Sequence, residues 1–249
     1  MKILATYNIK GGVGKTAAAV NLAFLAARGG ARTLVWDLDP QGAATFYFRV
    51  KPRVKGGGKR LLRGKGDLDT QIKGTDYPNL ELLPADFSYR HMDIVLDDAK
   101  KPTNRLRKLL KPLGPQYDYL VLDCPPSISL VSEAVFRAAD VLLVPIIPTT
   151  LSLRTLDQLL TFRADNGLDG VAVLPFFSMV DRRKKLHRSV VESLPAEVPD
   201  LLATAIPYAS DVERMGQQRE PLHVYAPRSQ AAQAYEKLWG EICDKIGDR

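Results

Sequence analysis

The stretch Lys10-Gly-Gly-Val-Gly-Lys15-Thr16 constrains this chain more than any other. It follows an apolar run at 3–7 and precedes a helix-like run at 17–28. A buried strand, a glycine-rich turn and a helix, in that order, form a phosphate-binding unit. The backbone N–H groups of the turn and the positive end of the helix converge on an anion. Gly11, Gly12, Val13, Gly14 and Ala17 supply that backbone. Lys15 is placed to reach the terminal phosphates of a nucleotide, and the Thr16 hydroxyl to hold Mg2+. The common form of such loops has glycine five positions before Gly14. Here Ile9 stands there and a second lysine, Lys10, follows it, a departure that narrows the family.

A chain of 249 residues, 45% of them hydrophobic, is long enough for one α/β domain with a full core, and a single domain over 1–249 is expected. The apolar runs at 3–7, 33–37, 80–84, 119–123, 141–145 and 171–176 read as strands. The stretches 16–28, 103–110, 130–139, 151–166, 184–194 and 229–246 read as helices. Nearly continuous apolar strands between helices mean a sheet covered on both faces. The fold class is therefore α/β, with a doubly wound, mostly parallel sheet and helices on both faces.

Two cysteines, Cys124 and Cys243, make no disulfide framework, so a reduced, cytoplasmic setting is expected. The first apolar run is too short for a signal peptide, and no segment reaches the roughly 18 apolar residues of a membrane span. The net charge of +7 favours acidic partners, nucleic acid above all.

Two acidic motifs accompany the loop. The second strand runs into Asp37-Leu-Asp39-Pro-Gln41-Gly42, just past the edge at which α/β sheets bind ligands. Asp37 and Asp39 are two apart and share a side if the strand continues. One carboxylate can position the attacking water while the other holds Mg2+ through water. The run Tyr119-Leu-Val-Leu-Asp123 buries a strand and ends in an acid aimed at the metal, and Cys124-Pro-Pro126 fixes an extended exit.

These motifs resemble those of the ParA/MinD family of deviant-Walker ATPases, the short ParA type in particular. The resemblance rests on residues 10–16, on the motifs around Asp39 and Asp123, and on a C-terminal block. That block comprises Ile206-Pro207, Pro221-Leu222, Tyr225-Ala-Pro227-Arg228-Ser229 and 231–241. The resemblance implies two ATP-bound subunits in a nucleotide sandwich. It makes Lys10 the signature lysine, reaching the partner's ATP, and Lys10, Lys15 and Asp39 the catalytic group. It implies ATP and Mg2+ as cofactors, with Thr16, Asp39 and Asp123 at the metal and Pro207 and Tyr208 near adenine. The family often has Ile-Pro-Arg-Asn where this chain has Ile206-Pro207-Tyr208-Ala209, and an Asn-containing turn where Ser178-Met179-Val180-Asp181 stands. The chain starts at its first strand, so an operator-reading helix-turn-helix region is not expected.

Two basic segments bear on the partner. Arg182, Arg183, Lys184, Lys185 and Arg188 form one, and the resemblance adds Arg214 and Arg219. Clustered cations without base readers suit sequence-independent phosphate contact. The second, at 51–65, holds seven basic residues and no acid. Its three consecutive glycines read as a mobile loop, either a solvated surface or an arm for nucleic acid or a partner.

The expected function is a dimerising, slowly hydrolysing ATPase of ParA type that binds DNA non-specifically at the nucleoid. An activating partner of the ParB or adaptor type would stimulate it, and a plasmid, chromosome region or protein assembly would be moved. The alternative is a MinD-like membrane-associated positioning ATPase, which requires a free amphipathic C-terminal helix. An iron–sulfur carrier would require cysteines grouped for a cluster, and Cys124 and Cys243 are not grouped in sequence.

Overall fold

The computed structural model describes residues 1–64, 68–98 and 102–247. The amino-terminal half runs β1 (Lys2–Thr6), α1 (Lys15–Arg28), β2 (Thr33–Asp37), α2 (Ala43–Tyr47), α3 (Gly57–Leu62), β3 (Lys73–Gly74), β4 (Leu80–Leu83), α4 (Met92–Asp97), α5 (Arg105–Leu110) and β5 (Tyr119–Asp123). There follow α6 (Leu130–Ala138), β6 (Val141–Ile146), α7 (Thr150–Asp165), β7 (Ala172–Phe177), α8 (Lys185–Ser193), α9 (Ser210–Gln218), α10 (Leu222–Tyr225) and α11 (Gln230–Ile246). The strands form a sheet in the order β3-β4-β2-β5-β1-β6-β7. Every pairing is parallel except that of the short edge strand β3 with β4.

Alternation along each strand divides the core in two. Leu120 and Leu122 of β5 face a cluster that takes in α4, α5, α6 and α7. Tyr119 and Val121 face a second cluster built from α1 and α11, with Met215 of α9 and Leu222 of α10. Both faces are covered, which is why the strands read as unbroken apolar runs.

The carboxy-terminal helix shows how local signals and packing agree. Ser229 caps α11 by accepting the Ala232 N–H at 3.1 Å, and Gly247 ends it in a left-handed conformation. Ala231, Ala232, Tyr235, Leu238 and Ile242 then lie buried against the second cluster. Burying a side chain such as Leu238 or Ile242 contributes about 1.5–3 kcal/mol.

The register places the functional ends side by side. β5 lies between β1 and β2, with Thr6 and Asp37 both opposite Asp123. The turns that leave these three strands therefore emerge at one point on the carboxyl edge of the sheet.

The expected strands and long helices are present to within a residue or two. The sequence reading did not foresee α2, α3, α4, α9, α10 or β3. The reading of 51–65 as a mobile loop is corrected. Val54, Leu61 and Leu62 are core residues, and α3 is docked by specific hydrogen bonds described below. Lys65 lies outside the described residues. The consecutive glycines permit close packing of this segment against Ser88 and Tyr89.

Candidate nucleotide site

Residues 10–16 wrap from β1 into α1. Gly14 is the N-cap of α1 at φ 97°, a conformation that costs a side-chain-bearing residue about 1–2 kcal/mol. A Cβ there would also lie 2.8 Å from the Ser178 hydroxyl at the end of β7. The loop is held from below by Asn8, a fully buried residue that the sequence reading passed over. Its Nδ2 donates to the Pro145 carbonyl of β6 at 2.9 Å, and its Oδ1 accepts the Lys10 N–H at 2.9 Å. Val13 is buried in its turn and anchors the crest of the loop.

Lys15 folds back into the loop, its ammonium donating to the Lys10 carbonyl at 3.0 Å. Burial lowers its pKa, and the Asp123 carboxylate works against that shift. The residue is thus a partly desolvated cation within the loop.

The three acids have different surroundings. Asp37 ends β2 and is buried, with Oδ2 accepting both the Thr45 N–H (2.8 Å) and the Thr45 hydroxyl (2.7 Å). Its Oδ1 accepts the Asp39 N–H at 3.2 Å, so Asp37 latches α2 to the sheet. Burial pushes its pKa up to about 6, against the pull of the Thr45 hydrogen bonds. Asp37 and Asp39 do not share a strand face, because β2 ends at Asp37. Asp39 sits in the turn beyond, accepts the Gln41 N–H at 2.9 Å and faces the cavity.

Asp123 ends β5 and is completely buried. Oδ1 meets the Thr6 hydroxyl at 3.4 Å, while no donor in hydrogen-bond geometry reaches Oδ2 among the described residues. Burial, and then the Asp37 charge, push Asp123 well above the usual carboxylate range; the Thr16 side chain and Lys15 pull it back. An orphaned carboxylate oxygen beside a threonine hydroxyl, with two further acids nearby, fits a hard divalent cation such as Mg2+. Thr16, Asp39 and Asp123 would hold it.

A cavity of about 340 Å³ opens above this floor. Gly11, Gly12, Gly14, Lys15, Thr16, Ala17 and Asp39 line it on one side, and Ile206, Pro207, Tyr208, Ala209 and Glu213 on the other. Val180 and Pro207 form an isolated parallel bridge, with the Tyr208 N–H donating to the Val180 carbonyl at 3.0 Å. Tyr208 is half exposed and donates to Glu213 at 2.8 Å. Lys10 is half-buried and is not among the residues that line the cavity. A larger cavity, about 810 Å³, lies at the opposite edge, beside Met1, Asp140 and Val171, where strands begin rather than end. Ligands of α/β sheets bind at the carboxyl edge, so the smaller cavity is the functional one.

The basic residues 182–188 surround the turn into α8. Asp181 accepts from both Nε and Nη2 of Arg183 at 2.9 Å, and Arg188 donates to the Arg182 carbonyl at 2.8 Å. Arg182, Lys184 and Lys185 are exposed. Arg214 pairs with Asp211, and Arg219 lies 4.4 Å over the Phe46 ring beside α2. His187 is a structural residue, its Nδ1 accepting the Asp181 N–H at 3.0 Å.

A mostly parallel sheet, a glycine loop running from the inner strand β1 into a helix, and a buried acid on the neighbouring strand β5 define a P-loop nucleotide-binding protein. A family model described as an AAA domain matches residues 1–165. The chain is 32% identical over 251 residues to sporulation initiation inhibitor protein Soj of Bacillus subtilis, covering 97% of this chain and 98% of that protein. It is 30% identical over 253 residues to chromosome-partitioning ATPase Soj of Treponema pallidum, covering 100% of this chain and 99% of that one. The chain belongs to the ParA/MinD family of P-loop ATPases. The ATP complex of a McdA variant from Cyanothece matches with a TM-score of 0.87 at 22% identity, over 100% of this chain and 97% of that one, and shows the same fold.

Proposed function

We propose that this chain is a ParA-type partition ATPase, acting as a single unit over 1–249, with ATP as substrate and Mg2+ as cofactor. ATP joins two copies into a dimer. The dimer binds duplex DNA without sequence preference at the nucleoid. A partner of the ParB or adaptor type stimulates slow hydrolysis and so moves a plasmid, a chromosome region or a protein assembly. The observation that carries this reading is the convergence of Lys15, Thr16, Asp39 and the orphaned Asp123 oxygen at one sheet edge, in a chain with a full-length chromosome-partitioning relative.

Each residue acts by position and charge. The Gly11–Gly14 backbone and the amino end of α1 bind the phosphates, and Lys15 neutralises their charge. When bound, Mg2+ supplies charge neutralisation at the phosphates. Asp39, at the cavity wall, orients the attacking water. Lys10, outside its own cavity, is free to reach the nucleotide of a second copy. That contact favours the dimer only while the terminal phosphate is present, so ATP acts by binding one state better. Arg182, Lys184 and Lys185 offer exposed cations to the DNA backbone.

The C-terminal helix favours this reading over a membrane-bound one. Its apolar face is buried in the core, and no helix among the described residues is long and apolar enough to cross a membrane.

The test is binding to random-sequence duplex DNA with ATP and with ADP, across a salt series. ATP-dependent binding that weakens steeply with salt is the expected result. No binding in either nucleotide state at low salt refutes the DNA role.

A further inference from the structure

The basic segment at 51–64 is a built surface. Its backbone is fastened at four points. Asp86 Oδ2 accepts the Val54 N–H at 2.9 Å, Gln71 Oε1 accepts the Lys55 N–H at 2.7 Å, and Ser88 Oγ accepts the Gly58 N–H at 2.8 Å. Arg105 closes the far end by donating to the Leu62 carbonyl at 2.5 Å. The glycines make this docking possible. A Cβ on Gly57 would lie 2.7 Å from the Ser88 hydroxyl, and one on Gly58 would lie 2.8 Å from the buried Tyr89 ring.

What the docking presents is charge. Lys51, Arg53, Lys55, Lys59, Arg60 and Arg63 are all exposed, and 51–64 contains no acid. Among the described residues only Arg63 of these six makes an ion pair, a loose one to Asp98 at 3.8 Å. Both oxygens of the nearby Asp86 are taken up by backbone and Ser88 donors. The turn that α3 packs on adds Phe87, 63% exposed, with the Arg90 guanidinium 3.8 Å above its ring.

Lone surface cations are normally mobile and lose side-chain and backbone freedom on binding. Here the backbone is already ordered, so the cost of lining up several cations against a polyanion is reduced. The geometry points to a second nucleic-acid contact, a ridge made by Lys55, just before α3, and by Lys59 and Arg60 of α3, which grips the phosphate backbone of duplex DNA. This rests on the DNA reading above and extends it to a surface separate from the turn at 182–188. An anionic membrane fits less well, because the exposed Ile94 of the adjacent helix is flanked by Asp93, Asp97 and Asp98.

The test measures affinity of the full chain for random-sequence duplex DNA in ATP and Mg2+, across a salt series, for wild type and for K55A/K59A/R60A. Each phosphate contact contributes about 0.9 to the log–log salt slope. The triple variant is expected to bind at least about tenfold more weakly at moderate salt, and to flatten the slope by about 2.7 per chain when all three cations meet phosphates. The charge-retaining K55R/K59R/R60K is expected to keep both affinity and slope, which separates charge from folding. Unchanged affinity and slope in the alanine variant, with wild type binding, overturns the ridge alone. Equal loss in the charge-retaining variant also overturns it. Wild type that binds no DNA overturns the ridge and the DNA reading together. Ridge-dependent flotation with phosphatidylserine vesicles, with DNA binding intact, assigns the cations to lipid and overturns the proposal.

Discussion

Asn8→Ala tests whether the phosphate loop is held from beneath. The side chain is completely buried and bridges two elements, donating to the Pro145 carbonyl of β6 and accepting the Lys10 N–H of the loop. Truncation leaves the Pro145 carbonyl without this donor in the interior, a penalty of about 1–3 kcal/mol. Lys10 is half-buried and its N–H can turn to water, so its share is smaller, about 0.5–1 kcal/mol. The expected loss is about 2–3 kcal/mol, which for a chain of this size lowers Tm by roughly 5–10 °C. The loop also loses the contact that sets its height above β6. ATP affinity should fall by about tenfold or more, equivalent to about 1.4 kcal/mol. Differential scanning calorimetry and nucleotide titration measure the two effects separately. A variant that melts within a degree of wild type and binds ATP normally would refute the bridging role.

Lys15→Ala removes the buried cation beside Asp39 and Asp123, and should abolish ATP-dependent dimers in light scattering. Dimers that persist would show that Lys15 is not needed at the phosphates. Asp39→Ala should still dimerise with ATP but lose turnover; normal phosphate release would mean its assigned role is wrong. Gly58→Ala forces a methyl to 2.8 Å from a Tyr89 ring that is itself tied to the Pro84 carbonyl at 3.1 Å. Overpacking of this kind costs about 1–3 kcal/mol, seen as a lower Tm, and an unchanged melt would mean that α3 is not tightly docked. The Arg183 guanidinium holds the Asp181 carboxyl down to about 2. Any stability from this pair is present above the usual carboxylate range and lost as pH falls through about 2. In an NMR titration Arg183→Ala should raise the Asp181 midpoint toward about 3.9, and a midpoint left near 2 would assign the shift to another cause.

What the sequence revealed follows from how each feature is encoded. The phosphate loop, Asp39 and Asp123 were legible because strand, turn and helix signals stand next to one another and their chemistry needs particular residue types. The doubly wound sheet was legible because strands buried on both faces cannot hide their apolar runs. Asn8 was not, because its two partners lie on a strand more than a hundred residues away and in the loop itself. Helix α9 carries one fully buried residue, Met215, in an otherwise polar stretch, so it offers too few apolar positions to be read as a core helix. The different duties of Asp37 and Asp39 were invisible too. Only the end of β2 at Asp37 and the Thr45 hydroxyl from α2 show that the first acid latches the fold while the second faces the cavity. In 51–64 composition pointed the wrong way, since glycine signals close approach as readily as freedom.

The packing of α1 has a consequence for how the molecule is made. The helix that carries the phosphate loop is covered by Met215, Leu222, Tyr235, Leu238 and Ile242, and its Asn21 accepts the Leu222 N–H at 2.8 Å. Its cover is thus drawn from residues far downstream of it in the chain. Until those residues emerge, α1 has an unprotected apolar face, and the loop at its amino end has no fixed partner helix behind it. A nascent chain on the ribosome therefore cannot assemble a nucleotide-ready site until α11 has emerged. A chain stalled before α11 presents an aggregation-prone helix in place of a half-working switch.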